Sequence, residues 1–258
     1  MNPQTKKSAS QQKSLKRLHK IISSAGVCSL REAERLIVSG RVSVNNKTVD
    51  VKGSLADPEK DSIRVDGKIV RTRVSLVYIA LNKPKGFVTT RSDELGRKTV
   101  MSLLPKNLAH LYPVGRLDIQ SEGLLLFTND GQFAQSIISS GSGVKRVYMV
   151  KVRNIPGPRM LKKMTTGVTI DNRKLKARQV ELMEVTGKNA WLKITLTEGK
   201  NLHIRKLCLT LGFPVLKLKR ISVGPVKLLD LKSGEARHIE IEMVNKMKKN
   251  AARNLKRK

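Results

Sequence analysis

The sequence has few acidic residues, few cysteines and no long apolar run. Its 258 residues include 20 Asp and Glu against 52 Lys and Arg, which gives a formal net charge of +32 at pH 7. No apolar stretch approaches the roughly 18 residues that a membrane helix needs. The two cysteines, Cys28 and Cys208, lack the spacing of metal ligands. We therefore expect two reduced structural thiols, with neither a metal site nor a catalytic cysteine.

The excess of positive charge predicts a polyanionic partner. Self-repulsion of this size destabilises a compact chain unless a polyanion neutralises it, and RNA or DNA is the usual polyanion. A membrane surface is the alternative, but we find neither the amphipathic helix nor the lipidation motif that membrane binding would need. Hydrophobic residues make up 39% of the chain, enough for a packed core. The composition thus predicts a folded protein that binds nucleic acid and has no membrane partner.

Both ends of the chain are basic. Residues 1–14 have almost no apolar content and predict a disordered basic arm. The first twenty residues lack the apolar segment of a secretory signal and contain a single Arg, which favours such an arm over a transit peptide. Residues 245–258 carry seven Lys and Arg and no acid, and they predict a basic C-terminal tail. We expect a cytoplasmic location or, as the alternative, an organelle of bacterial origin.

Residues 15–70 predict a small module of two helices and a hairpin. Apolar residues at helical spacing predict a first helix from Leu15 to about Gly26. Ser29 is a suitable N-cap for a second helix over Leu30–Val38, and Glu32 completes a capping box. Short β-rich runs around residues 41–45, 48–51 and 61–65 follow.

Residues 74–244 predict a larger α+β domain with a mixed, mainly antiparallel sheet, because strand-like runs outnumber helical ones and tight turns separate many of them. The strand-like runs are residues 74–81, 86–90, 123–128, 146–153, 179–185, 191–196 and 237–241. The helical runs are residues 131–139, 158–165 and 202–211.

Basic residues cluster on the helix pair of the small module. Short rows of Arg and Lys suit phosphate contacts, which fix the position of a nucleic acid without reading its sequence. A solvated basic helix face is the alternative interpretation. The residues that we predict to contact RNA are Lys16, Arg17, Arg31, Arg35 and Arg41.

The most informative stretch of the chain runs from Leu111 to Gly131. Within it, Arg116 and Asp118 stand two residues apart in a turn between apolar segments, and Gly123 permits a close backbone approach. A carboxylate in this setting is a nucleophile, an acid–base group or a turn residue that caps Ser121. The residues alone leave these alternatives open.

Two sets of motifs resemble known families. The run Ser-Leu-Arg-Glu-Ala-Glu from Ser29, with Gly-Arg-Val-x-Val-Asn from Gly40, resembles the RNA-binding domain named after ribosomal small-subunit protein four. Gly-Arg-Leu-Asp ending at Asp118, followed by Ser-x-Gly-Leu-Leu-Leu-x-Thr-Asn-Asp-Gly, resembles the signature of the Rsu and Rlu pseudouridine synthases of ribosomal RNA. Further matches are Asn-Lys-Pro around Lys83, Arg-Val-Tyr ending at Tyr148, Glu-Gly-Lys-Asn-x-x-Ile-Arg-Lys from Glu198, and Leu-x-Arg-Ile from Leu218.

The resemblance to the synthases implies roles for seven residues. Asp118 is the essential catalytic carboxylate and Arg205 its cationic partner. Tyr148 stacks on the target base and is placed to move a proton. Arg116 fills the place that the flipped base leaves, and Ile204 forms an apolar platform under the uracil. Lys83 and Lys206 are expected phosphate contacts, although Lys83 is equally interpretable as a solvated loop lysine. The family usually has a different pair at Leu202 and His203, which puts one RNA contact in doubt.

The same resemblance implies a monomer that needs no cofactor, since the isomerisation of uridine involves no redox change. Its partner would be ribosomal RNA or a pre-ribosomal particle. Two other classes remain as alternatives. One is a non-catalytic RNA-binding protein, which would have no need for Asp118, Tyr148 and Arg205. The other is a methyltransferase or nuclease, but we find no glycine-rich cofactor loop and no carboxylate cluster for metals.

Overall fold

The computed structural model describes residues 15–72, 75–199 and 202–255. They form two compact units whose boundary lies between Leu76 and Val77, a few residues beyond the predicted end of the small module at residue 70. The predicted basic arm, residues 1–14, lies outside the described residues. In the described part of the chain, no helix has both the length and the apolar character needed to cross a membrane.

The first unit contains two helices and six short strands. In chain order they are β1 Lys16–Arg17, α1 Leu18–Ser24, α2 Leu30–Val38, β2 Val42–Val44, β3 Lys47–Thr48, β4 Leu55–Ala56, β5 Ile63–Val65 and β6 Lys68–Ile69. Strands β3, β2, β5 and β6 form an antiparallel sheet in that order, and β1 pairs with β4. The apolar sides of α1 and α2 pack on this sheet to form a small core that includes Leu18, Ile22, Ile37 and Ile63.

Helix α2 begins and ends at the predicted residues, and its N-cap is the predicted one. The Ser29 Oγ accepts a hydrogen bond from the Glu32 main-chain N at 3.2 Å. The first helix begins later than predicted, at Leu18 instead of Leu15. The reason is that Lys16 and Arg17 are extended and pair with β4, so the backbone of these two residues is taken up by a sheet.

The second unit contains the remaining eleven strands and four helices. In chain order they are β7 Tyr78–Lys83, β8 Tyr112–Val114, β9 Glu122–Thr128, α3 Gly131–Ile138, β10 Arg146–Arg153, α4 Pro158–Thr166, β11 Val168–Ile170, β12 Arg173–Leu175, β13 Gln179–Thr186, β14 Asn189–Leu196, α5 His203–Thr210, β15 Val215–Val223, β16 Val226–Lys227, β17 Ala236–His238 and α6 Ile241–Leu255. Two short 3-10 turns, Val100–Leu103 and Lys106–Leu108, lie between β7 and β8.

Nine of these strands form one mixed sheet. Its order is β13-β14-β10-β15-β9-β7-β17, with β16 paired to β15 and β8 paired to β9. Every pairing is antiparallel except that of β9 with β15, which is parallel. The predicted α+β class with a mainly antiparallel mixed sheet is confirmed.

The central strand β9 is buried on both faces of the sheet. Leu125 and Phe127 point into a large core that the inner faces of β10 and β14 share, and helix α5 covers that core. Leu124 and Leu126 point to the opposite face and into a second core, which α3 and α6 complete. A continuous apolar run is what a strand buried on both faces requires, and this explains the Gly-Leu-Leu-Leu-Phe sequence.

Strands β9 and β15 pair at two positions, Glu122 with Lys219 and Gly123 with Arg220. Beyond this short junction each strand continues with other partners, β9 beside β7 and β8, and β15 beside β10 and β16. The sheet therefore divides next to the junction. Gly123 has a φ of +106°, and a Cβ there would lie 2.3 Å from the Arg220 carbonyl oxygen, so only glycine fits.

Two predictions about the second unit are wrong, and one strand was missed. Residues 86–90 form no strand, and Val88 makes a single bridge to Thr99. The long strand β15 was not predicted, because its lysines and Arg220 interrupt the apolar pattern. The basic tail at residues 245–258 is, up to Leu255, part of helix α6. Its apolar residues Val244, Met247 and Ala251 are spaced for one helix face and are buried in the second core.

The junction predicts the effect of a single added methyl group. We expect Gly123→Ala to lower the free energy of unfolding by roughly 2–4 kcal/mol, since it combines a main-chain collision with a left-handed φ. Gly86→Ala is the matched control, because Gly86 has a φ of +85° and no atom within 4 Å of its Cβ position; it should cost roughly 1 kcal/mol. Urea unfolding of both variants measures the difference. Equal losses would show that the close approach has no cost of its own.

Candidate active site

A cavity of about 370 Å³ opens beside the junction of β9 and β15. It lies within the range of about 300–1,000 Å³ that is usual for ligand pockets. Its walls come from the loop between β8 and β9, the end of α3, the inner face of β10 and the start of α5. The cavity brings together five of the residues predicted from sequence: Arg116, Asp118, Tyr148, Ile204 and Arg205.

The loop between β8 and β9 presents Asp118 to this cavity. The Ser121 main-chain N donates to the main-chain oxygen of Asp118 at 2.9 Å, so the turn is closed by the backbone. Among the described residues no donor is hydrogen-bonded to the Asp118 carboxylate, and no Lys or Arg nitrogen lies within 4.0 Å of it. The side chain is half-buried. The interpretation of Asp118 as a cap for Ser121 is therefore wrong, and the carboxylate is available for chemistry.

Lys83 holds this loop from beneath. Its side chain is fully buried, and its Nζ donates to the main-chain oxygens of Pro84 at 3.0 Å, Asp118 at 3.1 Å and Ser121 at 2.8 Å. Burial lowers the pKa of Lys83 to about 8, against the attraction of the Asp118 carboxylate. Both sequence interpretations of Lys83, a phosphate contact and a solvated loop lysine, are wrong because its ammonium group is inaccessible.

Tyr148 lies on β10 with its side chain toward the cavity, and it is 8% exposed. Its partner across the sheet on β15 is Arg220, and Arg146 lies on the same face two residues earlier. Both arginines line the cavity and are buried. The Arg220 Nε donates to the Leu124 oxygen at 2.7 Å, and the Arg146 Nη2 donates to the Ile137 oxygen at 2.8 Å. Burial lowers the pKa of Arg146.

These two buried arginines were not among the predicted site residues. Each stood inside a quoted motif, and each occupies an inward position of an alternating strand, where a charged residue is unusual. A charged residue at an inward strand position, inside a motif, is the sequence signal that could have identified both arginines as site residues. One atom of this pair is notable: the Arg220 Nη2 is buried and has no hydrogen-bond partner among the described residues. The cavity wall therefore carries positive charge that main-chain oxygens satisfy only in part.

Arg205 and Ile204 come from the first turn of α5. Ile204 is 3% exposed and forms part of the apolar wall. The Arg205 Nη2 donates to the main-chain oxygen of Gln120 at 3.2 Å, so this guanidinium contacts the same loop as Asp118. The expected ion pair between Arg205 and Asp118 is not formed. Arg116 is exposed at the rim of the cavity, and its main-chain oxygen accepts a hydrogen bond from the Arg220 Nη1 at 3.4 Å.

Lys206 points elsewhere than its neighbour in the sequence. Its Nζ forms an ion pair of 2.6 Å with the Asp171 carboxylate, in the turn between β11 and β12. It does not line the cavity, and its contact with substrate phosphate stays a prediction.

The predicted RNA contacts of the first unit are exposed. Lys16 and Arg17 lie on β1, whereas Arg31 and Arg35 lie on α2. Arg35 is 3.3 Å from the Glu32 carboxylate. Arg41 is paired through two contacts, because its Nε and Nη2 each donate to a carboxylate oxygen of Asp66 at 2.6 Å. Its guanidinium is therefore already occupied by an acidic partner.

Comparison with known families gives this site its context. Residues 77–210 match the family model described as RNA pseudouridylate synthase, and residues 16–62 match the S4 domain. The first match covers more than half of the chain and contains every cavity residue named above except Arg220. The chain belongs to the RNA pseudouridylate synthase family. It is accordingly an isomerase that acts on RNA, with an S4 domain as its first unit.

Several relatives of this synthase cover most of its length. An RNA pseudouridine synthase of Aquifex aeolicus is 38% identical over 86% of this chain and 90% of its own. The ribosomal large subunit pseudouridine synthase B of Bacillus subtilis is 34% identical over 91% of this chain and 96% of its own. A crystal structure of a pseudouridylate synthase superposes with a TM-score of 0.64 at 25% identity, covering 90% of this chain and 99% of the other.

The three carbonyl contacts of Lys83 predict a severe effect of its removal. We expect Lys83→Met to lower the free energy of unfolding by roughly 2–4 kcal/mol, because three buried carbonyl oxygens lose their donor. It should also reduce turnover, since the loop that presents Asp118 loses its support. Lys206→Met is the control, and loss of its exposed ion pair should cost less than about 1 kcal/mol. Urea unfolding and single-turnover rates measure both effects; unchanged stability in Lys83→Met would contradict this role.

Proposed function

We propose that this synthase isomerises uridine in ribosomal RNA and that Asp118 is its essential carboxylate. One observation carries the assignment of Asp118. Its carboxylate lines the cavity without a hydrogen-bond partner among the described residues, while Lys83 fixes the backbone of the same residue. A residue is suited to catalysis when its backbone is fixed and its side chain has no other hydrogen-bond partner.

The reaction balances without any outside reagent. The bond between C1′ of the ribose and N1 of uracil breaks, the base turns, and a bond forms between C1′ and C5. The proton on C5 leaves and N1 gains one, so nothing is oxidised or reduced. Three roles for the Asp118 carboxylate fit this balance: attack on C1′, addition to the base, or removal of a ribose proton. Each of them needs a carboxylate oxygen that has no other partner.

The target base must leave its stack to reach the cavity, because the reaction needs the base to turn freely. Ile204 and Tyr148 add an apolar wall and an aromatic ring to the cavity that Asp118 also lines. The exposed guanidinium of Arg116, at the rim, suits the place that the base vacates, since a planar guanidinium both stacks on bases and contacts phosphate. Arg205 supports the site by binding the Gln120 carbonyl of the catalytic loop.

Ribosomal RNA is the proposed substrate for two reasons. The Bacillus relative is named for the ribosomal large subunit, which makes large-subunit RNA the first substrate to test. The S4 domain also exposes Arg31 and Arg35 along one helix. Cations spaced in this way can bind the phosphates of a folded RNA. Target choice would then depend on the shape of the RNA and on the reach of both units.

Asp118→Asn tests the catalytic assignment. We expect it to reduce pseudouridine formation by more than about a thousandfold, because the amide is neither a nucleophile nor a base, while RNA affinity changes little. Tritium release from RNA labelled at uridine C5 measures turnover. Carbodiimide mapping of ribosomal RNA identifies the modified uridine. It compares deletion cells with and without the wild-type or variant gene. A variant that still restores the signal would refute the assignment, and a map that the deletion leaves unchanged would point to another RNA.

The S4 domain can be tested without altering the cavity. We expect Arg31→Gln with Arg35→Gln to weaken binding of a large-subunit RNA transcript and to lower the salt dependence of binding, by about 0.9 in the log–log slope for each lost phosphate contact. The single-turnover rate at saturating enzyme should stay the same. Lys52→Gln with Lys60→Gln removes two exposed charges from loops of the same unit and serves as control. Equal weakening in both double variants would show that only total charge matters.

A further inference from the structure

Helix α6 carries three exposed cations on one face. Lys246, Lys249 and Arg253 are spaced by three and four residues, so they lie in a row over about 10 Å. Among the described residues, no carboxylate oxygen lies within 4.0 Å of any of them. Lys248 of the same helix differs, since it is 2.7 Å from the Asp130 carboxylate. The row therefore keeps its charge unpaired while the neighbouring lysine anchors the helix.

The helix is fixed firmly to the second unit. Val244, Met247 and Ala251 are buried in the core that α6 shares with α3. The Lys248 Nζ also contacts the Tyr78 hydroxyl at 3.1 Å, and this hydroxyl donates to Asp130 at 2.7 Å. A row of cations on a rigid helix loses less entropy on binding an anion than the same residues on a mobile tail.

The C-terminal end of α6 lies close to the active-site cavity. The Asn254 Nδ2 donates to the Ser142 oxygen at 2.9 Å, and the Ser142 Oγ donates to the Ile137 oxygen at 3.2 Å. The same Ile137 oxygen accepts from Arg146, and both Ile137 and Arg146 line the cavity. Two hydrogen bonds therefore connect the last turn of α6 to the cavity wall.

The geometry points to α6 as a phosphate-binding row for the RNA strand that flanks the target uridine. This inference rests on the proposed function, because it assigns a path to the same substrate. An acidic protein is a poorer fit. The exposed residues between the cations are Asn250 and Ala252, whereas a protein interface needs large apolar or aromatic anchors at its centre. Cations in a row without such anchors suit a sugar–phosphate backbone.

The test compares two triple variants that lose the same charge. The first is Lys246→Gln, Lys249→Gln and Arg253→Gln. The control is Arg159→Gln, Lys162→Gln and Lys163→Gln on α4, where all three cations are exposed and none lines the cavity. Helix α4 packs beside β13, at the sheet edge opposite β17. The probes are fluorescein-labelled oligouridylates of about 5 and 15 nucleotides, and fluorescence anisotropy is measured over a series of KCl concentrations.

We expect the α6 variant to bind the longer probe about tenfold more weakly and to lose about 2 in the log–log salt slope, since each phosphate contact of a single strand contributes about 0.7. The shorter probe, which cannot reach from the cavity along the helix, should bind equally well to all three proteins. With a large-subunit RNA transcript, KM should rise while kcat is unchanged. The control variant should stay close to the wild type in each measurement.

Three results would overturn the inference. Equal weakening in both triple variants would mean that diffuse charge attracts the RNA, and an unchanged α6 variant would mean that the row is solvated. If RNA affinity were intact but the α6 variant no longer co-sedimented with pre-ribosomal particles, the row would bind protein instead. Failure of the proposed function can be distinguished from failure of this inference. If the wild-type enzyme forms no pseudouridine in ribosomal RNA but the α6 variant still binds the longer oligouridylate more weakly, the α6 contact stands and only the proposed function fails.

Discussion

At Gly123 the main chain of β9 lies directly against the main chain of Arg220 in β15, and this contact is close enough to exclude any side chain. The two strands pair in parallel for two residues and then continue with different neighbours. A cavity in the middle of a sheet requires such a division, because fully paired strands leave no opening. Asp118 precedes the junction by a few residues, so the element that divides the sheet also places the carboxylate.

The buried cations around this junction share one kind of hydrogen-bond partner. Lys83, Arg146 and Arg220 are buried cations whose donors go mainly to main-chain oxygens. Burying a charge without an acidic partner is expensive, and the cost is reduced here by carbonyls that belong to the loop and strands of the site. The arrangement serves both geometry and electrostatics. Each cation fixes part of the backbone, and their summed charge attracts an anionic substrate toward the carboxylate.

The sequence predicted those parts of the molecule that local rules control. Helix α2 has its predicted bounds because Ser29 caps it, and β10 has its predicted bounds because apolar residues alternate along it. The resemblance to the synthases, carried by several separate motifs, predicted the five residues that meet in the cavity. What the sequence could not predict were long-range contacts. Nothing local distinguishes Lys83, which is buried beneath the loop, from Lys206, which is paired on the surface with Asp171.

The C-terminal helix shows that the charge of a segment also does not predict its long-range contacts. Counting Lys and Arg over residues 245–258 predicted a tail, since the count does not record which face of a helix each residue occupies. The structure separates them: apolar residues face the core, Lys248 is paired with Asp130, and three other cations face solvent. A chain with a net charge of +32 cannot pair most of its cations internally. Those that remain unpaired on rigid elements beside the cavity are therefore the ones whose neutralisation by RNA would contribute most to binding, because their positions are fixed before the RNA arrives.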